Sequence, residues 1–164
     1  MRDLKTTLKS RLKNADRIAI LGIGSELRGD DVAGQLVVKQ LEPFCCKIDK
    51  GKKAKTFNGA TAPENITGEI KRFKPSHLIV IDSIDAGIEP GEVTLFEPDK
   101  IRGASFSTHR LPASIMTEYL RKSIDCKVVF IGIKPKTLDF CAPVSGEVSK
   151  SVKYVSDAIK KTIA

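Results

Sequence analysis

Leu21-Gly22-Ile23-Gly24-Ser25-Glu26-Leu27-Arg28-Gly29-Asp30-Asp31 joins a strand to a helix. Ile18, Ala19, Ile20 and Leu21 lead into it as an unbroken apolar segment, the pattern of a buried strand. Val32, Leu36 and Leu41 follow at helical spacing. Such a loop lies at the carboxyl end of a strand, where open α/β sheets place their ligand sites. Its glycines permit tight backbone turns. It ends in two adjacent carboxylates at a helix start.

Strands and helices alternate along the rest of the chain. The pattern predicts strands at 17–22, 54–58, 77–82, 92–96 and 127–133. It predicts helices over about 31–44 and 112–122, and a last helix carrying Val148, Val152, Val155 and Ile159 on one face. Residues 45–53 read as a polar surface connection and 97–108 as irregular. Thr61-Ala62-Pro63-Glu64 reads as the start of a further helix, with Thr61 as cap and Glu64 closing a capping box. Ile66, Ile70 and Phe73 supply its buried stripe. The segment 77–82 is nearly all apolar before its final Asp82, which implies burial on both faces, as in a parallel sheet. Leu4, Leu8 and Leu12 recur among cations as a short amphipathic helix, an extension over 1–15 that packs on the body. The expected fold is α/β: one domain over 1–164, a three-layer α/β/α sandwich with a mostly parallel sheet and one short antiparallel strand.

Composition narrows the functions. The 164 residues are 41% hydrophobic and 29% charged, the balance of a soluble globular protein. Tryptophan is absent, so the core is expected to be aliphatic. The longest apolar runs are far too short to span a bilayer. The basic N-terminus has no hydrophobic region behind it and does not read as a secretory signal. The expectation is a cytoplasmic protein without membrane insertion. Cys45, Cys46, Cys126 and Cys141 form no CxxC pair and read as free thiols. The net charge of +8 comes from dispersed lysines without interleaved aromatics. That pattern speaks against nucleic acid and for a solvated basic surface that favours an acidic protein partner.

Three sets of polar residues fall at the carboxyl ends of predicted elements: Asp30-Asp31, Asp82 with Asp85, and His109. Two carboxylates and an imidazole from one sheet edge suit a divalent metal with open positions for water or substrate. Such an ion would polarise a carbonyl or generate hydroxide. Each residue also has a plainer role. Asp30 or Asp31 could cap a helix, Asp82 could accept backbone hydrogen bonds, and His109 could be structural. Composition and spacing alone do not favour the metal over these. His77 opens a strand at the opposite end of the sheet and receives no role. A dinucleotide fingerprint would need glycine at position 27, where Leu27 stands, so no nucleotide cofactor is expected.

LGIGSELRGDDVAG, NGATAPENITGEI, HLIVIDSIDAG and FIGIKPKTLDF, taken in order with the His109 region and the Ser145 helix, resemble the hydrogenase maturation proteases. The likeness runs from about Ile18 to Val155. The GATAPENxTG stretch looks most like archaeal members related to the formate-hydrogenlyase type. The resemblance implies an endopeptidase that removes the C-terminal extension of a nickel–iron hydrogenase large-subunit precursor after nickel insertion. It implies Asp31, Asp82 and His109 as the catalytic and metal-contacting residues, with nickel supplied by the precursor. Thr61 is a candidate substrate-binding residue. Two positions depart from the family pattern: Ser25 stands where asparagine is usual, and Val32 where glycine is frequent. A non-catalytic protein that inspects nickel loading, or a chaperone-like binder of the precursor, would use the same three residues.

Overall fold

The computed structural model describes residues 3–48, 53–85, 87–96, 105–106 and 113–164. These form five α-helices and six strands. In chain order they are α1 (Leu4–Arg11), β1 (Arg17–Ile23), α2 (Ala33–Cys45), β2 (Lys53–Ala60), α3 (Thr67–Phe73), β3 (His77–Asp85), β4 (Val93–Phe96), β5 (Ser105–Phe106), α4 (Ala113–Ile124), β6 (Lys127–Ile133) and α5 (Gly146–Ile163). The sheet runs β2-β1-β3-β6-β4, with β5 attached to β3. β2, β1, β3 and β6 are parallel. β4 runs antiparallel to β6, and the two-residue β5 antiparallel to the end of β3.

Both faces of the sheet are covered, which explains why the inner strands β1, β3 and β6 lack polar alternation, whereas the edge strand β2 alternates. Ile18 and Ile20 of β1 join Ile79, Ile81, Val129 and Ile131 in a core shared with α1, α2 and α5. Their neighbours Ala19, Leu21 and Ile23 point the other way, into a second core with Phe57, Ile70, Leu120 and Phe130. Leu4, Leu8 and Leu12 are buried in the first core, so the N-terminal helix packs on the body as expected. Val148, Val152, Val155 and Ile159 of α5 are all buried there too. Among the described residues, no helix is long and apolar enough to cross a membrane.

Two expectations are corrected. The acidic pair does not open an α-helix. Gly29–Val32 forms a separate 3-10 turn, and α2 begins at Ala33. Thr61 is not a helix cap. β2 continues to Ala60, whose left-handed φ of 46° breaks the strand into a turn closed by Ala62 N–H donating to the Gly59 carbonyl. The 3-10 turn Pro63–Ile66 follows, flanked by Ala62, and neither it nor α3 has a side-chain cap. The buried stripe of that helix does form: Ile70 is fully buried, with Ile66 and Phe73 packed beside it. Within the stretch expected to be irregular, Ser105–Phe106 forms β5.

Candidate active site

The carboxyl edge of the parallel strands gathers the turn after β1, the end of β3 and the loop after β6. Close packing at glycine makes this convergence possible. A Cβ on Gly34 would stand 2.3 Å from the Ile81 carbonyl oxygen and 2.4 Å from that of Ile23. Only hydrogen lets α2 lie this low over β1 and β3. Gly24 adopts a φ of 147°, and a Cβ there would lie 1.8 Å from the Asp31 carbonyl oxygen. The loop therefore folds back on the turn that carries the acids.

Asp31 is 2% exposed and Asp82 1% exposed. Ser83 joins them: its N–H donates to Asp82 Oδ1 at 2.8 Å, and its hydroxyl donates to Asp31 Oδ1. The Ser25 N–H donates to Asp31 Oδ2 at 2.9 Å. This contact uses the backbone, so it does not depend on the side chain at position 25. Among the described residues, buried Asp82 Oδ2 has no hydrogen-bond partner. Burial first, and the Asp31 charge second, push the Asp82 carboxyl well above the ordinary carboxylate range, against a smaller opposing pull from the Ser83 N–H. A buried acceptor with an unused oxygen beside a second carboxylate is a site that favours a cation.

The two acids of the loop divide their roles. Asp30 is fully buried. It accepts from the backbone N–H groups of Lys136 at 2.9 Å, Thr137 at 3.1 Å and Ser145 at 2.7 Å, and from the Ser145 hydroxyl at 2.9 Å. It does not cap α2, as the sequence suggested; it ties the loop between β6 and α5 to the turn beneath the site. Asp85 is exposed and bonded to Lys134, whose ammonium holds it below the usual carboxylate range. It takes no part in the buried pair. Gln35 and Asn58, which the sequence reading gave no role here, brace the loop: Gln35 Nε2 donates to the Gly24 carbonyl at 2.5 Å, and Asn58 Nδ2 to Gln35 Oε1 at 3.3 Å. Both elements carry other polar residues, so no local pattern singled these two out.

His109 lies outside the described residues, as does most of the irregular stretch expected around it. β5, just before it in sequence, pairs with Ile84 and Asp85 at the end of β3. Among the described residues, no group of three or more His, Cys, Asp or Glu side chains is placed to hold a metal. Thr61 is exposed in the turn after β2. Cys45 and Cys126 are buried free thiols, each pushed up to about 11 chiefly by burial. They are poor ligands and poor nucleophiles in that state.

His77 opens β3 at the opposite end of the sheet, 3% exposed, with Nδ1 3.0 Å from the Ser76 hydroxyl and Nε2 buried without a partner among the described residues. Burial, and then the Lys127 charge, lower its pKa below 6.5. At this group the unfolded chain thus binds more protons than the native one as pH drops below 6.5, so the contribution of His77 to stability should be present above that pH and lost below it. Urea unfolding at pH 7.5 and 5.5 checks this. His77→Gln should lose less stability between the two than the natural chain, and equal losses would contradict the assignment.

With this geometry established, comparisons place the chain among known sequences and structures. The family described as hydrogenase maturation protease has a sequence model that matches residues 37–164. A putative hydrogenase maturation protease of Methanocaldococcus jannaschii is 40% identical over 151 residues, spanning 90% of this chain and 89% of the relative. The hydrogenase 3 maturation protease of Escherichia coli K12 is 31% identical over 137 residues, spanning 83% of this chain and 84% of the relative. The crystal structure of the NiFe hydrogenase maturation protease HycI from Thermococcus kodakarensis superposes with a TM-score of 0.84 at 29% identity, covering 96% of this chain and 98% of that one.

Proposed function

Because this chain belongs to the hydrogenase maturation protease family, we propose that it is the endopeptidase that trims the C-terminal extension from a nickel–iron hydrogenase large-subunit precursor once nickel has been inserted. Its protease role in hydrogenase maturation follows from the family. The nickel requirement and the site residues are our reading. The observation that carries them is the buried Asp31–Ser83–Asp82 array, with Asp82 Oδ2 unpartnered among the described residues. Such an array is costly to bury unless a cation completes it.

In this reading the nickel arrives as part of the substrate. Asp31 and Asp82 meet it at the carboxyl edge of the sheet, with His109 as the third group that the resemblance assigns, and it supplies Lewis-acid chemistry toward the scissile carbonyl or the attacking water. The protein's own residues do the positioning. Ser83 orients both carboxylates, and Ser25 N–H fixes the second oxygen of Asp31. Asp30 holds the adjoining loop in place. No resident metal or nucleotide is required. A soluble cytoplasmic setting, with the precursor as partner, fits the free cysteines.

The test is an intact-mass measurement on precursor incubated with the purified protein. Nickel-loaded precursor should lose its C-terminal extension, and nickel-free precursor should stay whole. Binding of loaded precursor without loss of mass would instead support the nickel-loading checkpoint.

A further inference from the structure

We propose that Arg28 and Phe140, with Leu27 beside them, form the seat for the polypeptide segment next to the scissile bond, a segment carrying an apolar side chain flanked by an acidic group. This rests on the protease reading and deepens it. Arg28 and Phe140 face one another in an isolated antiparallel bridge. Directly opposed residues of an antiparallel pair project their side chains to the same face. Alongside, Cys141 N–H donates to the Leu27 carbonyl at 2.8 Å. Phe140 is 76% exposed and Leu27 57% exposed, two of the four large hydrophobics that the described residues leave open to water. The Arg28 guanidinium has no ion-pair or hydrogen-bond partner among the described residues. Asp30, the nearest acid toward the helix, already accepts from the Lys136, Thr137 and Ser145 groups.

The position of this pair identifies its occupant. Arg28 lies three residues before Asp31, on the same loop, and the Phe140 segment belongs to the loop that Asp30 anchors. The surface is thus continuous with the candidate site, and the buried carboxylate anchor holds both of its strands. An unpaired guanidinium favours a carboxylate. Exposed Phe and Leu favour an apolar side chain. A peptide combining the two, laid across this lip, would bring its next bond to Asp31 and Asp82.

The test pairs binding with turnover. Equilibrium binding of fluorescently labelled, nickel-loaded precursor is measured for the natural chain and for Phe140→Ser, Arg28→Ala and Arg28→Lys, alongside steady-state trimming. Phe140→Ser and Arg28→Ala should each weaken binding about tenfold, the effect of losing one anchoring contact, and raise KM equally with kcat within twofold. Arg28→Lys should recover most of the loss at low salt, and the Arg28→Ala protein should bind with less salt dependence than the natural one. Unchanged affinity in both the Phe140→Ser and Arg28→Ala proteins overturns the seat, as does a fall in kcat at constant KM. If the natural chain binds precursor without trimming it, the protease reading fails, and the seat still stands or falls on the affinities. If it does not bind at all, both are overturned.

Discussion

Asp82→Asn should yield a more stable protein that no longer processes precursor. In the native fold the Asp82 carboxyl is buried beside Asp31, with Oδ2 unpartnered among the described residues, and burial and the Asp31 charge both disfavour its ionised form. Asparagine keeps the size and can still accept from the Ser83 N–H, but removes the charge. Removing a buried charge relieves a desolvation penalty of about 1–3 kcal/mol. For a chain of this length each kcal/mol moves the thermal midpoint by about 2–4 °C. The sign carries a pH signature. A carboxyl whose native pKa is raised above 3.8 makes the native state bind more protons than the unfolded one, so its contribution is lost as pH rises. The stability gap between variant and natural protein should therefore widen from acid toward neutral pH. Processing should fall at least about 100-fold, the upper end of what losing a mere supporting partner of a metal site costs. Thermal unfolding across pH, beside the trimming assay, measures both. A variant less stable than the natural protein at neutral pH would show that Asp82 is not a disfavoured charge.

Asp30 predicts the reverse. Its carboxylate is fully buried and accepts four hydrogen bonds from Lys136, Thr137 and Ser145. Asp30→Ala strands those donors and frees the loop that carries Phe140. Charge-assisted hydrogen bonds contribute about 1.5–3 kcal/mol each and are not additive, so a loss of about 3–5 kcal/mol is expected. On this chain length that is a fall of about 10 °C in the thermal midpoint. Asp30→Asn retains an acceptor and should lose less. It should also trim precursor better than Asp82→Asn, because Asp30 supports the site rather than lining it. Urea unfolding and trimming of the two Asp30 variants settle this, and a midpoint unchanged in Asp30→Ala would dismiss the anchor.

The contrast between the neighbouring acids marks how much the sequence could reveal. The layers were legible because burial on both faces leaves unbroken apolar runs such as 77–82, and because Val148, Val152, Val155 and Ile159 repeat at helical spacing. That the acidic pair of the loop and Asp82 meet was legible because parallel strands must end on one edge, whereas the choice of Asp31 within the pair came from the family resemblance. Asp30 was misread because its partners lie 106 to 115 residues away, and no local pattern reports them. Thr61 was misread for the opposite reason. Its local pattern fits a capping box, but β2 runs on through the sheet and closes a turn first. Ser83 was hidden inside an apolar strand, where a hydroxyl carries no signal until the acid facing it is known.

The central claim is that Asp31, Asp82 and His109 act together on the nickel of the precursor. An intact-mass time course of nickel-loaded precursor with the natural chain and the Asp31→Asn, Asp82→Asn and His109→Ala variants, each confirmed folded by circular dichroism, tests it most directly. The account predicts trimming by the natural chain and precursor left at full mass by all three variants. Near-normal trimming by folded Asp82→Asn and His109→Ala proteins would contradict it.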